Sequence, residues 1–432
     1  MNLEAGLAIF AIAVAVYGGL GIWLGNRSIT MPMVFVLLGA LLGAYGLGWV
    51  SFGLNDELVR TLTEVTLALL LFADASTINF NRLSHDAGLP ARLLGIGLPL
   101  TLALGAVIAY VLFPAQGVSF ALLIAAILAP TDAALGLPIF VNPNVPNRIR
   151  RALNVESGLN DGIATPFVTL FIALAVAEEG ATPTAGWLSN AALQIALAVA
   201  AGVFVGAVGG KLVQYAHARK WTSGAPLQFA VLGLAFASYL GSIAVGGNGF
   251  VAAFVGGIVF GAVTRGEIEE GTEYTETTGT LLSLGVWFIF GALFVIPAVQ
   301  QALDWRIVLY ALLSLTVVRM APVALALFGL HLRRDTQALM GWFGPRGLAS
   351  VVFALLAAHE LRAANMEAQL LAAMAAWTIL LSVLAHGLSA QPLAKWFARR
   401  LKSAPADAPE FLDVPEVQVR SDVLLSAERQ RT

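Results

Sequence analysis

A chain of 432 residues that is 58% hydrophobic and only 12% charged is too apolar for a water-soluble protein, where roughly 45–50% apolar and about 25% charged residues are usual. A formal charge of −2 leaves no surplus of Lys and Arg for a nucleic-acid partner. The lack of cysteine excludes disulfides, thiolate metal sites and cysteine nucleophiles.

What remains is an all-α integral membrane protein. A hydrocarbon core about 30 Å thick takes about 20 mostly apolar residues per helix. Such runs lie at 5–24, 31–48, 58–75, 93–113, 118–136, 151–177, 188–212, 227–245, 249–264, 281–299, 307–330, 338–358 and 368–389, so about thirteen transmembrane helices are expected. The first run has no basic leader and no small-residue cleavage pattern, and reads as a retained helix instead of a signal peptide. Loops on the C-terminal side carry sixteen Lys and Arg residues, among them Arg82, Arg148, Arg150, Arg151, Arg333 and Arg334, against Arg60, Arg306 and Arg362 on the other side. The positive-inside rule then puts the N-terminus outside and the C-terminus in the cytoplasm, in a multi-pass protein of the cell inner membrane. Between the ninth and tenth runs, Arg265 to Thr278 is rich in Glu and is expected to be a solvated cytoplasmic loop. The transporter domain is expected over 1–402, and the polar stretch 403–432, with Pro405, Pro409 and Pro415, as a short disordered tail. His85, His217, His331, His359 and His386 fall at or near the ends of runs and read as interfacial.

Five ionisable residues fall inside the runs away from their ends: Asp132, Glu156, Asp161, Arg319 and Arg346. Each costs about 2.5–3.5 kcal/mol at a helix centre even on a lenient scale, so each must be paired, solvated in a cavity or ligating something. Asp132 follows Pro130-Thr131, where the proline removes a backbone donor and frees carbonyls from the helix ladder. In the sixth run, Glu156, Ser157, Asn160 and Asp161 share an arc of about 140° at 100° per residue. Two carboxylates, an amide and a hydroxyl make an oxygen-rich stripe suited to a hard cation; a polar helix seam is the rival reading. Gly344-Pro345-Arg346-Gly347 interrupts the twelfth run as Pro130-Thr131 interrupts the fifth. Seven helices separate the two breaks, and an odd shift inverts orientation, so they occupy matched positions of an inverted repeat, the usual pointer to a transporter's midplane site.

The Thr131-Asp132 pair, the run Glu156-Ser157-Gly158-Leu159-Asn160-Asp161-Gly162 and the basic loop from Asn147 to Arg151 resemble the cation/proton antiporters of the NhaP and NHE type, the electroneutral branch with Asn-Asp where electrogenic relatives have Asp-Asp. Arg319 and Arg346-Gly347 match that family's two embedded arginines. The resemblance implies an NhaA-like fold with the fifth and twelfth helices unwound and crossing at the ion site. It also implies a homodimer, in which a core domain rocks against a dimerisation domain. It makes Asp161 the ion-binding carboxylate, with Asp132, Thr131, Ser157 and Asn160 in or near the shell of a transported Na+. Glu156 is implied to pair with Arg346, and Arg319 to be secondary. Asp74-Ala75-Ser76 departs from the family pattern, which has glycine at the third place, and Asp74 reads as a helix-end residue.

Asp132, Glu156 and Asp161 against Arg319 and Arg346 leave one negative charge, so a single proton or monovalent cation neutralises the set. The expected function is therefore one-for-one exchange of Na+ or Li+ for protons, with K+/H+ exchange or sodium-coupled solute symport as alternatives. No resident cofactor is expected, and no enzyme. An intramembrane aspartyl protease would need Gly-x-Gly-Asp, but Asn160 stands at the second glycine. A channel would bind too tightly for fast flow with such buried charges.

Overall fold

The computed structural model describes residues 3–25, 27–51, 53, 56–78, 88–140, 142–179, 187–300, 304–364, 366–402, 405 and 408–412. Arg82, His85 and the tail from 413 onward lie outside them. Among the described residues all regular structure is helical, as an apolar solvent demands, since a helix satisfies its backbone N–H and C=O groups within the segment.

In chain order the helices are α1 (Leu3–Gly25), α2 (Met31–Leu42), α3 (Glu57–Ser76), α4 (Gly88–Leu112), α5a (Gly117–Ile127), α5b (Leu137–Phe140), α6 (Asn147–Glu179), α7 (Trp187–Ala218), α8 (Ala225–Ala244), α9 (Gly249–Thr264), α10 (Glu269–Gln300), α11 (Trp305–Ala326), α12a (Arg334–Trp342), α12b (Leu348–Ala363) and α13 (Gln369–Leu401). Eight of these (α1, α4, α6, α7, α8, α10, α11 and α13) are by themselves long and apolar enough to cross a membrane. The other expected spans are short (α2, α9), broken (α5, α12) or, in α3, interrupted by Arg60, Glu64 and Asp74.

The packing sorts the helices into two groups. In one, α3 lies against α9 and α10, α7 against α8 and α9, and α2 against α10. In the other, α5a packs on α4 and α6, α11 on α4, α12a and α13, and α12b on α13. Helix α6 joins them, touching α3, α7, α9 and α12b. At the arginine-rich end of the second group, Leu89, Ile139, Ile149, Met340 and Phe397 form a separate apolar core. Large apolar side chains stay exposed along the outer faces of α1, α7 and α8, Ile12, Phe204 and Phe229 among them, which suits contact with lipid chains.

Three expectations are corrected. The acidic stretch is helical from Glu269 onward, extending α10 by several turns. Glu269 and Glu270 lie in its first turn, where the positive end of the helix dipole favours acids. Thr272, Thr275, Thr277 and Thr278 return their hydroxyls to carbonyls one turn back. Helix α13 continues to Leu401 instead of ending near 389, which puts His386 in mid-helix and fully buried. Finally, the region expected as a disordered tail contains a short turn at Pro409–Phe411 that docks on the protein. Buried Glu410 accepts from the backbone N–H of Arg333 and from Thr336 Oγ1, each at 2.8 Å, and the Pro409 carbonyl accepts from Arg148 at 2.6 Å.

Candidate functional site where two interrupted helices meet

Pro130 lacks the N–H that would continue α5a, and helical structure stops at Ile127. The chain crosses 128–132 without helix before a 3-10 turn (Ala133–Gly136) leads into α5b. Asp132 caps that turn, its Oδ1 accepting from the Ala134 amide at 2.8 Å. On the other helix, 343–347 is non-helical between α12a and α12b, around Pro345. The two interruptions touch. The Asp132 N–H donates to the Pro345 carbonyl at 2.8 Å, and the Leu348 N–H donates to Asp132 Oδ2 at 3.0 Å. Only glycine fits at 347, because a Cβ there would fall 2.1 Å from Asp132 Cβ and Oδ2.

Carbonyls freed by the first interruption must be satisfied, because a buried unpaired acceptor costs on the order of 1–3 kcal/mol. Arg346, fully buried, donates from Nη1 to the carbonyls of Ala129 at 3.0 Å and Pro130 at 3.4 Å, and from Nη2 to that of Ser314 at 3.4 Å. Ser157 Oγ donates to the Thr131 carbonyl at 2.7 Å. Next on the same face of α6, Asn160 Nδ2 donates to Thr131 Oγ1 at 2.6 Å, while Asn160 Oδ1 is buried with no hydrogen-bond partner among the described residues. Asp161 follows, 8% exposed, with its backbone carbonyl accepting from Thr165 Oγ1.

Glu156 does not pair with Arg346 as the resemblance implied. Its carboxylate receives Arg319 in a two-pronged bond, Nη1 to Oε1 at 2.5 Å and Nη2 to Oε2 at 2.9 Å, with both residues 2% exposed. The physical reason is local: the Arg346 guanidinium is committed to carbonyls of α5 and α11, whereas Gly344 leaves room for the Arg319 side chain, a Cβ there falling 2.1 Å from its Nε. The two arginines have exchanged the implied roles.

The structure thus brings Thr131, Asp132, Ser157, Asn160, Arg346 and the α6 segment carrying Asp161 to one place, with the Glu156–Arg319 pair alongside. Sequence reasoning missed Ser382 and His386 on α13. Ser382 Oγ accepts from the Arg346 N–H at 2.6 Å, and His386 Nε2 lies 2.9 Å from the Trp342 carbonyl. The signal was a polar stripe at helical spacing, Thr378, Ser382, His386 and Ser389, through the apolar middle of the helix. It also passed over Glu64, which accepts from Arg60 Nε at 2.7 Å and from the Tyr239 hydroxyl at 2.8 Å. Asp74 does lie at the end of α3, 9% exposed, with its Cβ 3.8 Å from where a Cβ on Gly158 would be.

Two interrupted helices whose breaks touch at buried Asp132, in the middle members of α4–α6 and α11–α13, are a pattern found at the midplane sites of secondary transporters. The chain belongs to the family described as "Sodium/hydrogen exchanger, transmembrane", whose model matches residues 9–396; that family is one of transporters, not of enzymes. It is 26% identical over 374 residues to the K(+)/H(+) antiporter NhaP of Alkalimonas amylolytica, an alignment covering 84% of this chain and 62% of that protein. It is 27% identical over 326 residues, 67% of each chain, to a Na(+)/H(+) antiporter of Schizosaccharomyces pombe. Its fold is similar to that of the sodium proton antiporter MjNhaP1 from Methanocaldococcus jannaschii, with a TM-score of 0.71 at 19% identity over 92% of this chain and 100% of that one. The chain therefore spans less than two thirds of the length of the Alkalimonas relative.

Proposed function

We propose that this chain is a secondary active transporter exchanging Na+ or Li+ for H+, one for one, by competition of cation and proton for Asp161. The observation that carries the reading is the meeting of the two helix interruptions at Asp132 beside the Ser157–Asn160–Asp161 face of α6. Glu156 is committed to Arg319, and both carboxylate oxygens of Asp132 accept backbone amides. The exchange is assigned to Asp161, as the family resemblance implies. Thr131, Ser157, Asn160 and Asp132 supply further oxygens around the cation. A hard monovalent ion prefers such ligands, and the buried, unpartnered Asn160 Oδ1 suits that role. Alternating access follows if the empty, charged site is reluctant to move while either occupant lets it cross.

The protein functions, on this reading, as a homodimer in the cell inner membrane, N-terminus outside and C-terminus cytoplasmic, contributing to pH homeostasis. Support comes from the asymmetry of Lys and Arg between the two sets of loops and from the exposed apolar helix faces. A K+/H+ exchanger is the second reading, favoured by the name of the Alkalimonas relative.

The test is proton movement in proteoliposomes under an imposed pH gradient, with Na+, Li+, K+ or choline added in turn, for the native protein and Asp161→Asn. Cation-stimulated flux that the substitution abolishes supports the assignment and ranks the ions. No flux with any cation, or an undiminished variant, overturns it and reopens solute symport.

A further inference from the structure

In an uninterrupted helix the Arg346 N–H would donate to the Trp342 carbonyl, four residues back. The α12 break pulls the two apart: the Arg346 N–H is met by a side chain of α13, and the Trp342 carbonyl, which accepts from the Gly344 N–H at 2.8 Å, is met by a second one. The Arg346 N–H donates to Ser382 Oγ at 2.6 Å, and the Trp342 carbonyl lies 2.9 Å from His386 Nε2. Ser382 Oγ and His386 Nδ1 are 3.2 Å apart, which closes the circuit. A carbonyl can only accept, so Nε2 carries the imidazole proton; Ser382 Oγ, already accepting from Arg346, gives its own hydrogen to Nδ1. Nδ1 is also 3.0 Å from the Ser382 carbonyl, a contact that holds no proton in this tautomer.

We infer that Ser382 and His386 act as a side-chain splice for the missing hydrogen bond of α12 and are positioning residues of the ion site, though neither is among the proposed cation ligands. Both are fully buried. His386 stacks on Trp342 with ring centres 4.9 Å apart, and Trp342 Nε1 donates to Ser389 Oγ at 3.0 Å, so α13 grips the end of α12a at three points. What the splice holds in register is the stretch that contacts α5. The Arg346 guanidinium meets the carbonyls of Ala129 and Pro130, and the Leu348 amide meets Asp132. A shift of the Arg346 backbone moves both contacts, and with them the oxygens offered to a cation.

The functional half of this inference rests on the transport reading above, whereas the splice itself does not, and the experiment separates them. Hydrogen–deuterium exchange of the 343–347 segment is followed for the purified full chain and for Ser382→Ala, His386→Ala, His386→Leu and His386→Gln, with apparent KM and kcat for Na+ measured in proteoliposomes. Loss of one buried hydrogen bond predicts about ten-fold faster exchange of that segment in the Ala and Leu variants. It also predicts an apparent KM raised several-fold with protein yield and oligomer size retained. Glutamine presents both a donor to Trp342 and an acceptor for Ser382, and restores exchange and KM toward the native values. The double variant Ser382→Ala/His386→Ala is no worse than either single one. Native exchange and native KM in His386→Leu would show that the ring only fills space and would overturn the inference, as would unchanged exchange at 343–347 in Ser382→Ala. Absence of transport by the native chain would sink the antiport reading while the exchange measurement still decides the splice.

Discussion

Exchange of the two arginine roles is open to a thermodynamic test. Glu156 and Arg319 are each 2% exposed and joined by two bonds of 2.5 and 2.9 Å. Breaking a buried pair by removing one partner costs about 3–5 kcal/mol, because the survivor keeps its charge without compensation, while replacing both by apolar residues of similar volume is nearly neutral. Glu156→Met and Arg319→Met are therefore each expected to lose about 3–5 kcal/mol, and the double variant about 2 kcal/mol or less. That is a coupling energy of about 4 kcal/mol or more, on the order of 10³-fold in the folding equilibrium. Arg346, held by three carbonyls, should couple to Glu156 by under about 1 kcal/mol. The assay is equilibrium unfolding in mixed micelles for the two double-mutant cycles. Equal or greater coupling in the Glu156/Arg346 cycle, or simple additivity in the Glu156/Arg319 cycle, would refute the reasoning.

Gly347→Ala should disrupt the contact between the two helix breaks at Asp132, costing about 1–3 kcal/mol by overpacking and most of the transport rate. Gly233→Ala, in α8 with open space around it, serves as a control that unfolds no more readily than the native chain. Glu410→Ala removes acceptors from the Arg333 amide and Thr336; faster amide exchange at 333–336 and protease cleavage near 408–412 are expected, and unchanged protection would argue that the turn is not held there. At the start of α11, the side-chain hydrogen bond from Arg306 holds the Asp304 carboxyl below the usual carboxylate range. A lowered folded-state value means that the cap's contribution is complete above the ordinary carboxylate value and disappears as pH falls through the lowered one. Protection of the Arg306 amide, corrected for intrinsic exchange, should therefore drop only in acid, and Asp304→Asn, which still caps, should flatten that dependence.

Much of this fold is readable in the sequence because a bilayer is an unforgiving solvent. It sets helix length, and it makes Asp132, Glu156, Asp161, Arg319 and Arg346 conspicuous against apolar surroundings. Prolines 130 and 345 mark both interruptions. What was not legible is distance. Both arginines lie in apolar runs within reach of Glu156 by topology, and only the contacts of Arg346 with the carbonyls of 129 and 130 decide between them. Composition misled at Glu269–Thr278, where acids that resemble a loop are placed to favour a helix N-terminus. Hydropathy ended the last run near 389, which turned a central histidine into an apparently terminal one. Glu410 was hidden because a polar, proline-rich stretch gives no periodicity from which a docking turn can be read.

The one-for-one stoichiometry proposed here rests on a count of embedded charges, and that count survives the change of partner, since pairing Glu156 with Arg319 leaves Asp132 and Asp161 against Arg346, again one net negative charge. It does not automatically survive Asp74. This acid is 9% exposed and faces α6 at Gly158; as a member of the carrier set it would make the site doubly negative, so that one bound cation left a charge to cross the membrane. Read as a helix-end residue in the last turn of α3, it is taken to stand outside the carrier set. The expectation is that cation-driven proton flux does not respond to a membrane potential imposed with valinomycin and a K+ gradient, and that Asp74→Asn leaves this indifference unchanged even where it slows turnover. Flux that follows the potential in the native protein and loses that dependence in Asp74→Asn would place Asp74 within the carrier set and replace one-for-one exchange with an electrogenic cycle.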